Sequence, residues 1–208
     1  MDKFVITIAR GYGSGGRTLG KHLAEKLGIN YYDREILNLT ADATGINKQL
    51  FENADEQLKG TSLYKVASNV YRGEVIKPDS EEVISNDSLF AYQAKVIREL
   101  AKYESFVVIG RCADYILKDY KNVLKLFVHA PVETCVKRME DFSSLSREEL
   151  KQHIYRTDKR RSDYYYYHTG RMWNDARNYD LCINSEELNL VKCLKLVESY
   201  LEIKFSKK

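Results

Sequence analysis

The chain carries little net charge, +3 at pH 7 from 33 basic and 30 acidic residues. That is too little to mark nucleic acid as a partner. No apolar run approaches the length of a membrane span. The start, Met1-Asp-Lys-Phe4, lacks the basic-then-apolar layout of a secretory leader. No two cysteines stand in a C-x-x-C spacing. Cys112, Cys135, Cys182 and Cys193 are scattered, which reads as reduced, mostly buried thiols in a cytoplasmic protein. Histidine is scarce, and His22, His129, His153 and His168 make no metal-ligand spacing with those cysteines, so no structural zinc is expected. These absences leave one globular domain of 208 residues, with or without insertions, long enough to bury a sizeable core.

What is present begins at the stretch Phe4-Val-Ile-Thr-Ile-Ala-Arg-Gly-Tyr-Gly-Ser-Gly-Gly-Arg-Thr18. A β-branched apolar run enters four glycines within six residues, and a helical pattern leaves them. Glycines let a loop turn several backbone N–H groups toward one point, and the following helix adds its own N-terminal amides and the positive end of its dipole. The product is an anion site sized for phosphates. Gly11 to Thr18 matches a G-x-x-x-x-G-K-T phosphate loop with Arg17 where lysine is expected. Gly11, Gly13 and Gly16 also spell a dinucleotide fingerprint, with Asp33 near the distance of its ribose-binding acid. A glycine-rich turn without a ligand is the bland alternative.

Along the rest of the chain, short apolar runs alternate with helical patterns. Leu19, Leu23 and Leu27 mark a helix stopped by Gly28, and Ile29 to Tyr32 reads as a second strand ending at Asp33. Residues 41–87 are polar and read as a mostly helical insertion, with Asp87 or Ser88 capping the next helix and Phe90, Ala94, Ile97 and Ala101 as its buried stripe. Phe106 to Ile109 and Val123 to Val128 are the third and fourth strands, and Pro131 opens a helix. Ser146 and Glu149 form a capping box at the head of a long polar helix. Tyr179 to Ile183 is the fifth strand, with Asn184 and Ser185 as caps of a last helix. The pattern predicts an α/β three-layer domain with a five-stranded, mainly parallel sheet. Ligands of such sheets sit beyond the carboxyl ends of the strands, where the glycine loop, Asp33, Gly110-Arg111 and His129 all fall.

On the phosphate-loop reading, the backbone of Gly11, Gly13, Ser14, Gly15, Gly16, Arg17 and Thr18 holds the donor's phosphates, and the Thr18 hydroxyl serves Mg2+. Arg17 replaces a compact point charge by a planar fork. Asp33 is a Mg2+ or acceptor contact, or simply a helix cap over Arg34-Glu35-Ile36. Arg111 takes an acceptor phosphate or makes a surface ion pair. Arg156 and Arg160 share a helix face at i,i+4 and repel unless an anion lies between them, which suits a lid closing over phosphates, with a solvated face as an equal alternative. Asp158 and Arg161 can pair at i,i+3. Tyr164 to Tyr167, His168, Arg171 and Trp173 make an aromatic stretch suited to base stacking or to core packing.

Five segments resemble the cytidylate-kinase-like branch of the phosphate-loop nucleoside monophosphate kinases: Ile8 to Arg17, Tyr31-Tyr-Asp-Arg34, Val108-Ile-Gly-Arg-Cys-Ala-Asp114, Asp158-Lys-Arg-Arg-Ser162 with the tyrosine run, and Tyr179-Asp-Leu-Cys182. They occur in the family's order and span nearly the whole chain. The resemblance implies a P-loop NTPase fold, a monophosphate-binding insertion around 41–87, a lid around 143–175, ATP with Mg2+ as donor, and a nucleoside monophosphate such as CMP as acceptor. It implies an acceptor-phosphate contact for Arg111 and lid roles for Arg156, Arg160 and Arg161. Small nucleotides are then the expected partners, with neither nucleic acid nor membrane. Two rivals remain: a nucleotide-binding sensor of little turnover, for which Arg17 speaks, and a dinucleotide oxidoreductase, against which Thr18, the extra Gly15 and the basic lid stand.

Overall fold

Strand β1, Val5–Arg10, is the middle of a five-stranded sheet. In the computed structural model the described residues are 3–33 and 86–205. The chain divides into two compact units, residues 1–31 with 105–208, and residues 32–104.

In the first unit β1 leads through the glycine loop into helix α1, Gly16–Leu27, and then to β2, Asn30–Tyr32, whose last residue starts the second unit. The chain re-enters at β3, Phe106–Ile109, followed by a single-turn helix and β4, Val123–His129. The strand order is β2-β3-β1-β4-β5, with β5 at Leu181–Asn184. β1 pairs in parallel with β3, Val5 beside Phe106, and with β4, Val5 beside Val123. β4 pairs in parallel with β5, Leu126 beside Leu181. The α/β class and the five-stranded parallel sheet are as the apolar runs predict.

Alternate strand residues explain the layers. Ile6, Ile8, Val107, Ile109, Leu124, Leu126 and Val128 point to one face, where Leu19 and Leu23 of α1 meet Val197 and Leu201 of the C-terminal helix. Each such fully buried aliphatic side chain contributes about 1.5–3 kcal/mol. Ala9, Phe127 and Tyr179 form a smaller cluster on the other face, with Trp173 against it.

Within the second unit, helix α2 runs over Asn86–Tyr103, starting just ahead of the expected caps. Ala94 and Ile97 of the expected stripe are buried, together with Val96 and Leu100. The Tyr32 hydroxyl donates to Glu104 at 2.6 Å, and the Asp33 side chain is buried. The expected insertion at 41–87 lies outside the described residues, apart from its last two positions.

Four helices follow β3. Helix α3, Ala113–Ile116, is the single turn. Helix α4, Val132–Glu140, begins after Pro131 as expected. Helix α5, Arg147–Thr169, carries the predicted capping box, with Ser146 N–H donating to Glu149 at 2.9 Å. The sequence shows no apolar partner for α5, yet it has one: Leu150 and Ile154 bury against Cys135 and Val136 of α4. Arg147 and Lys151 add exposed ion pairs to Glu133 across the same two helices. Helix α6, Leu190–Phe205, closes the chain. Its cap is Asn189, whose side chain accepts Lys192 N–H at 3.0 Å, rather than Asn184 or Ser185. Ser185 is drawn into the glycine loop instead, and Asn184 caps only the local turn at Glu186. β5 starts two residues later than expected because Asp180 is spent on a clamp: its carboxylate accepts Lys125 N–H and pairs with Lys204. Among the described residues no helix is long and apolar enough to cross a membrane.

Candidate functional site

The carboxyl end of β1 delivers the chain into Gly11–Gly15. Gly13 and Gly15 have φ of 72° and 81°, the left-handed region that other residues enter at a cost. Gly15 is also the N-cap of α1 and supplies no side chain, and the first turn of α1 carries no acidic residue. Leu19 N–H makes the first helical bond, to Gly15 O at 2.9 Å. The amides ahead of it are those a helix N-terminus offers to an anion. α5 has a complete capping box, whereas α1 begins on bare glycine. A helix that forgoes a cap worth about 1 kcal/mol is one whose start suits a ligand.

The loop is gripped from three sides. Ser14 Oγ donates to Gly11 O at 2.8 Å and tightens the turn from within. From α4, Arg138 Nη1 donates to Ser14 O at 3.2 Å and to Ser185 Oγ at 2.9 Å. Ser185 Oγ donates to the same Ser14 carbonyl at 2.6 Å. With that carbonyl held outward, the opposite, amide-bearing side of the peptide faces inward. From α5, the Asp158 carboxylate accepts Tyr12 N–H at 2.8 Å, and Arg161 Nη1 donates to both Asp158 and Arg10 O at 3.0 Å. Cys135 packs so closely beneath Gly13 that a Cβ there would stand 2.9 Å from its own. Burial pushes the Cys135 thiol up to about 11, so it is packing material and not a nucleophile.

Beside the loop the end of β3 makes an unusual turn. Gly110, Arg111 and Cys112 have φ of 69°, 61° and 53° in succession. Two consecutive non-glycine residues in the left-handed region cost energy that sites tend to retain. Just beyond, the buried Asp114 accepts the Tyr165 hydroxyl at 2.6 Å, which joins α3 to α5. Burial holds the Asp114 carboxyl above its ordinary range, partly offset by that hydrogen bond, and burial likewise raises Tyr165. On the other flank of the loop, Ser14, Gly15, Thr18, Arg138, Leu190 and Cys193 line a largely apolar cavity of about 330 Å3.

The expected phosphate-contacting residues Gly11, Gly13, Ser14, Gly15, Gly16, Arg17 and Thr18 thus form one strand–loop–helix corner, with Arg17 and Thr18 exposed on the first turn of α1. Arg161 meets it directly, and the nearby Arg17 charge is one reason the Arg161 guanidinium, lowered chiefly by burial, loses its proton more readily than usual. Asp158 and Arg161 pair as their spacing suggests. Arg156 and Arg160 are exposed on α5, where Arg160 Nε reaches back to the Arg156 carbonyl. Arg111 is half-buried at the end of β3. Asp33 belongs to the other unit. Sequence reading missed Arg10, Arg138 and Ser185. Only Arg10 left a trace there, as a charge at the end of an otherwise apolar strand.

Comparison with known proteins agrees with this architecture. A family model described as the cytidylate kinase-like family matches residues 5–187. A cytidylate kinase of Pyrococcus horikoshii is 25% identical over 187 residues, covering 89% of this chain and 82% of its own. A solved structure of an uncharacterized protein from Eubacterium ventriosum superposes with a TM-score of 0.70 at 25% identity, over 96% of this chain and 99% of that one. The shikimate kinase of Bacteroides thetaiotaomicron shares the fold, with a TM-score of 0.52 at 14% identity over 96% of this chain and 98% of its own.

Proposed function

The chain belongs to the cytidylate kinase-like family, and from that footing we propose that it transfers the γ-phosphoryl group of ATP to a nucleoside monophosphate such as CMP. The observation that carries this reading is the uncapped start of α1, on two left-handed glycines, at the carboxyl end of the central parallel strand. That is where a βα unit binds phosphate. The amides from Gly13 to Thr18 hold the donor's β-phosphate, and Arg17 and Arg161 neutralise charge as the phosphoryl group moves. The cavity beside Thr18 and Arg138 accommodates the donor's base and ribose. Arg111 forks onto the acceptor phosphate. Residues 143–175, α5 and its flanks, act as the lid with Arg156 and Arg160 on its outer turn. The 41–87 insertion and Asp33 serve the acceptor.

Among the described residues no cluster of three His, Cys, Asp or Glu side chains can hold a metal ion. Of this chain's residues the exposed Thr18 hydroxyl would hold Mg2+. Mg2+ bound with the nucleotide would supply charge neutralisation for its phosphates. Four free cysteines suit the reducing cytoplasm.

ADP release from ATP, measured against a panel of nucleoside monophosphates, tests the reading directly. Turnover with at least one of them is expected, together with a rise in melting temperature with ATP but not with NADH. Arg17 favours one second reading, a nucleotide sensor of little turnover. That reading is selected if ATP binds and no monophosphate is phosphorylated.

A further inference from the structure

Arg10, the last residue of β1, takes an unusual path. A Cβ built on Gly16 would stand 2.6 Å from Arg10 Cβ and 3.3 Å from its Cγ. A Cβ built on Gly110 would stand 2.4 Å from Arg10 Nη1 and 3.4 Å from its Cζ. The side chain therefore leaves the strand across the face of Gly16 and ends over Gly110. Two glycines, 94 positions apart by subtraction of their numbers, make room for one arginine. Gly16 has no positive φ, so its missing side chain answers to packing against Arg10 and Val128 and not to backbone geometry.

The two ends of this path matter. Gly16 opens α1 at the phosphate loop, and Gly110 precedes Arg111. The Arg10 side chain thus runs from the position that the kinase reading gives to the donor phosphates to the glycine before Arg111, where its guanidinium ends. Its surroundings are cationic. Arg161 is hydrogen-bonded to the Arg10 carbonyl, Arg17 lies within electrostatic reach of Arg161, and Arg111 follows the glycine under the Arg10 head. Asp158, paired with Arg161, lies near enough to feel Arg10.

We propose that Arg10 is a further catalytic residue, whose guanidinium bridges the phosphoryl group in flight between donor and acceptor. This rests on the kinase reading. In the step it serves, the bond from the γ-phosphorus to the β,γ-bridging oxygen breaks and its electron pair leaves with ADP. A bond from the γ-phosphorus to an acceptor phosphate oxygen forms. The acceptor enters as its dianion, so no proton need move. Charge on the three transferring oxygens is then met from two sides, by Arg17 at the loop and by Arg10 over Gly110.

The test compares the wild type with Arg10→Met, Arg10→Lys and Arg10→Gln in three measurements: melting temperature, calorimetric binding of inorganic tripolyphosphate, and kcat and KM with ATP and CMP. For Arg10→Met the melting temperature should change little, tripolyphosphate affinity should fall tenfold or more with a parallel rise in the KM for ATP, and kcat should fall about 10^2- to 10^3-fold. Arg10→Lys should recover most of the affinity, and added guanidinium ion should restore part of the Arg10→Met turnover. Wild-type affinity in Arg10→Met overturns the proposal, and so does an affinity loss with kcat intact. If Arg10→Met melts early, Arg10→Gln decides by the same criteria. If the wild type phosphorylates no acceptor, the kinase reading fails on its own, and tripolyphosphate affinity alone then judges Arg10.

Discussion

The Asp158 carboxylate in the middle of α5 accepts the backbone N–H of Tyr12 in the glycine loop, across 146 residues of chain. Arg161 hydrogen-bonds the same carboxylate oxygen and the carbonyl of Arg10. Tyr12 also places its ring against His153, at 5.0 Å, and beneath the Arg161 guanidinium. Loop and helix are therefore one mechanical assembly, and an anion entering the loop meets a backbone already tied to α5 at Tyr12.

The first prediction concerns pH. Burial outweighs the Tyr12 amide and Arg161 and holds the Asp158 carboxyl above the ordinary carboxylate range. The native protein then keeps that proton to higher pH than the unfolded chain does. Stability from this group is greatest below the unfolded pKa of about 4 and declines as pH rises toward the folded pKa. Asp158→Asn should flatten that decline in a plot of Tm against pH from about pH 4 upward. An unaltered slope would show that the buried carboxyl is elsewhere.

A second expectation follows for α5. Ligand phosphates that take up loop amides should shift the balance of the Asp158 and Arg161 contacts and close residues 143–175 over the nucleotide. Hydrogen exchange across this region should slow with ATP plus acceptor, beyond what ATP alone produces. Identical exchange with and without saturating ligands would mark α5 as a static helix.

Gly16→Val adds a branched side chain where even a Cβ would stand 2.6 Å from Arg10 and 3.1 Å from Val128. Overpacking of this kind costs about 1–3 kcal/mol. ATP affinity should fall at least tenfold, measured by calorimetry on the fraction that remains folded. A folded variant with wild-type affinity would remove the loop from the binding site.

Arg17 is exposed on the first turn of α1, so the fold depends on it little. Arg17→Ala should lower kcat on the order of tenfold to a hundredfold while Tm moves by no more than a degree or two. Arg17→Lys should keep or raise turnover, because a compact point charge also satisfies the transferring oxygens. Full turnover in Arg17→Ala would assign the phosphoryl charge to other residues.

Arg111→Ala should raise the acceptor KM and lower kcat/KM on the order of tenfold to a hundredfold, with ATP affinity nearly constant. The left-handed φ of 61° persists with alanine, so Arg111→Gly serves as the unstrained control and should show the same kinetic loss. A fall in Tm with normal kinetics would instead make Arg111 a support of the turn.

The parts legible in the sequence are those set by neighbours. Apolar runs of four to seven residues marked the buried strands, the glycines marked the turn from β1 into α1, and Ser146 with Glu149 marked a helix start three residues apart. What was not legible is set across the chain. Ser185 looks like a helix cap because it follows a strand and precedes a helix, yet its hydroxyl bonds Ser14, 171 residues earlier. Arg138 is one more basic residue on an amphipathic helix until the fold brings it to the same carbonyl. The apolar contact of α5 was hidden because it uses only Leu150 and Ile154 near one end of 23 residues. The left-handed pair Arg111 and Cys112 lacks the glycine or asparagine that would announce such a turn.

The shared space of Arg10, Gly16 and Gly110 has a consequence for how this corner can change through descent. Neither glycine can take a side chain beside Arg10 without a shift: a Cβ at Gly16 meets Arg10 Cβ at 2.6 Å, and one at Gly110 meets Arg10 Nη1 at 2.4 Å. At Gly110 the clash is with the head of the arginine, so a relative with alanine at that position should carry a shorter residue at that of Arg10. In the laboratory the same linkage is a thermodynamic cycle. Gly110→Ala should be costlier beside Arg10 than beside Arg10→Ala, with a coupling energy between the two of about 0.5–3 kcal/mol, the strain of the left-handed φ at Gly110 being common to both arms.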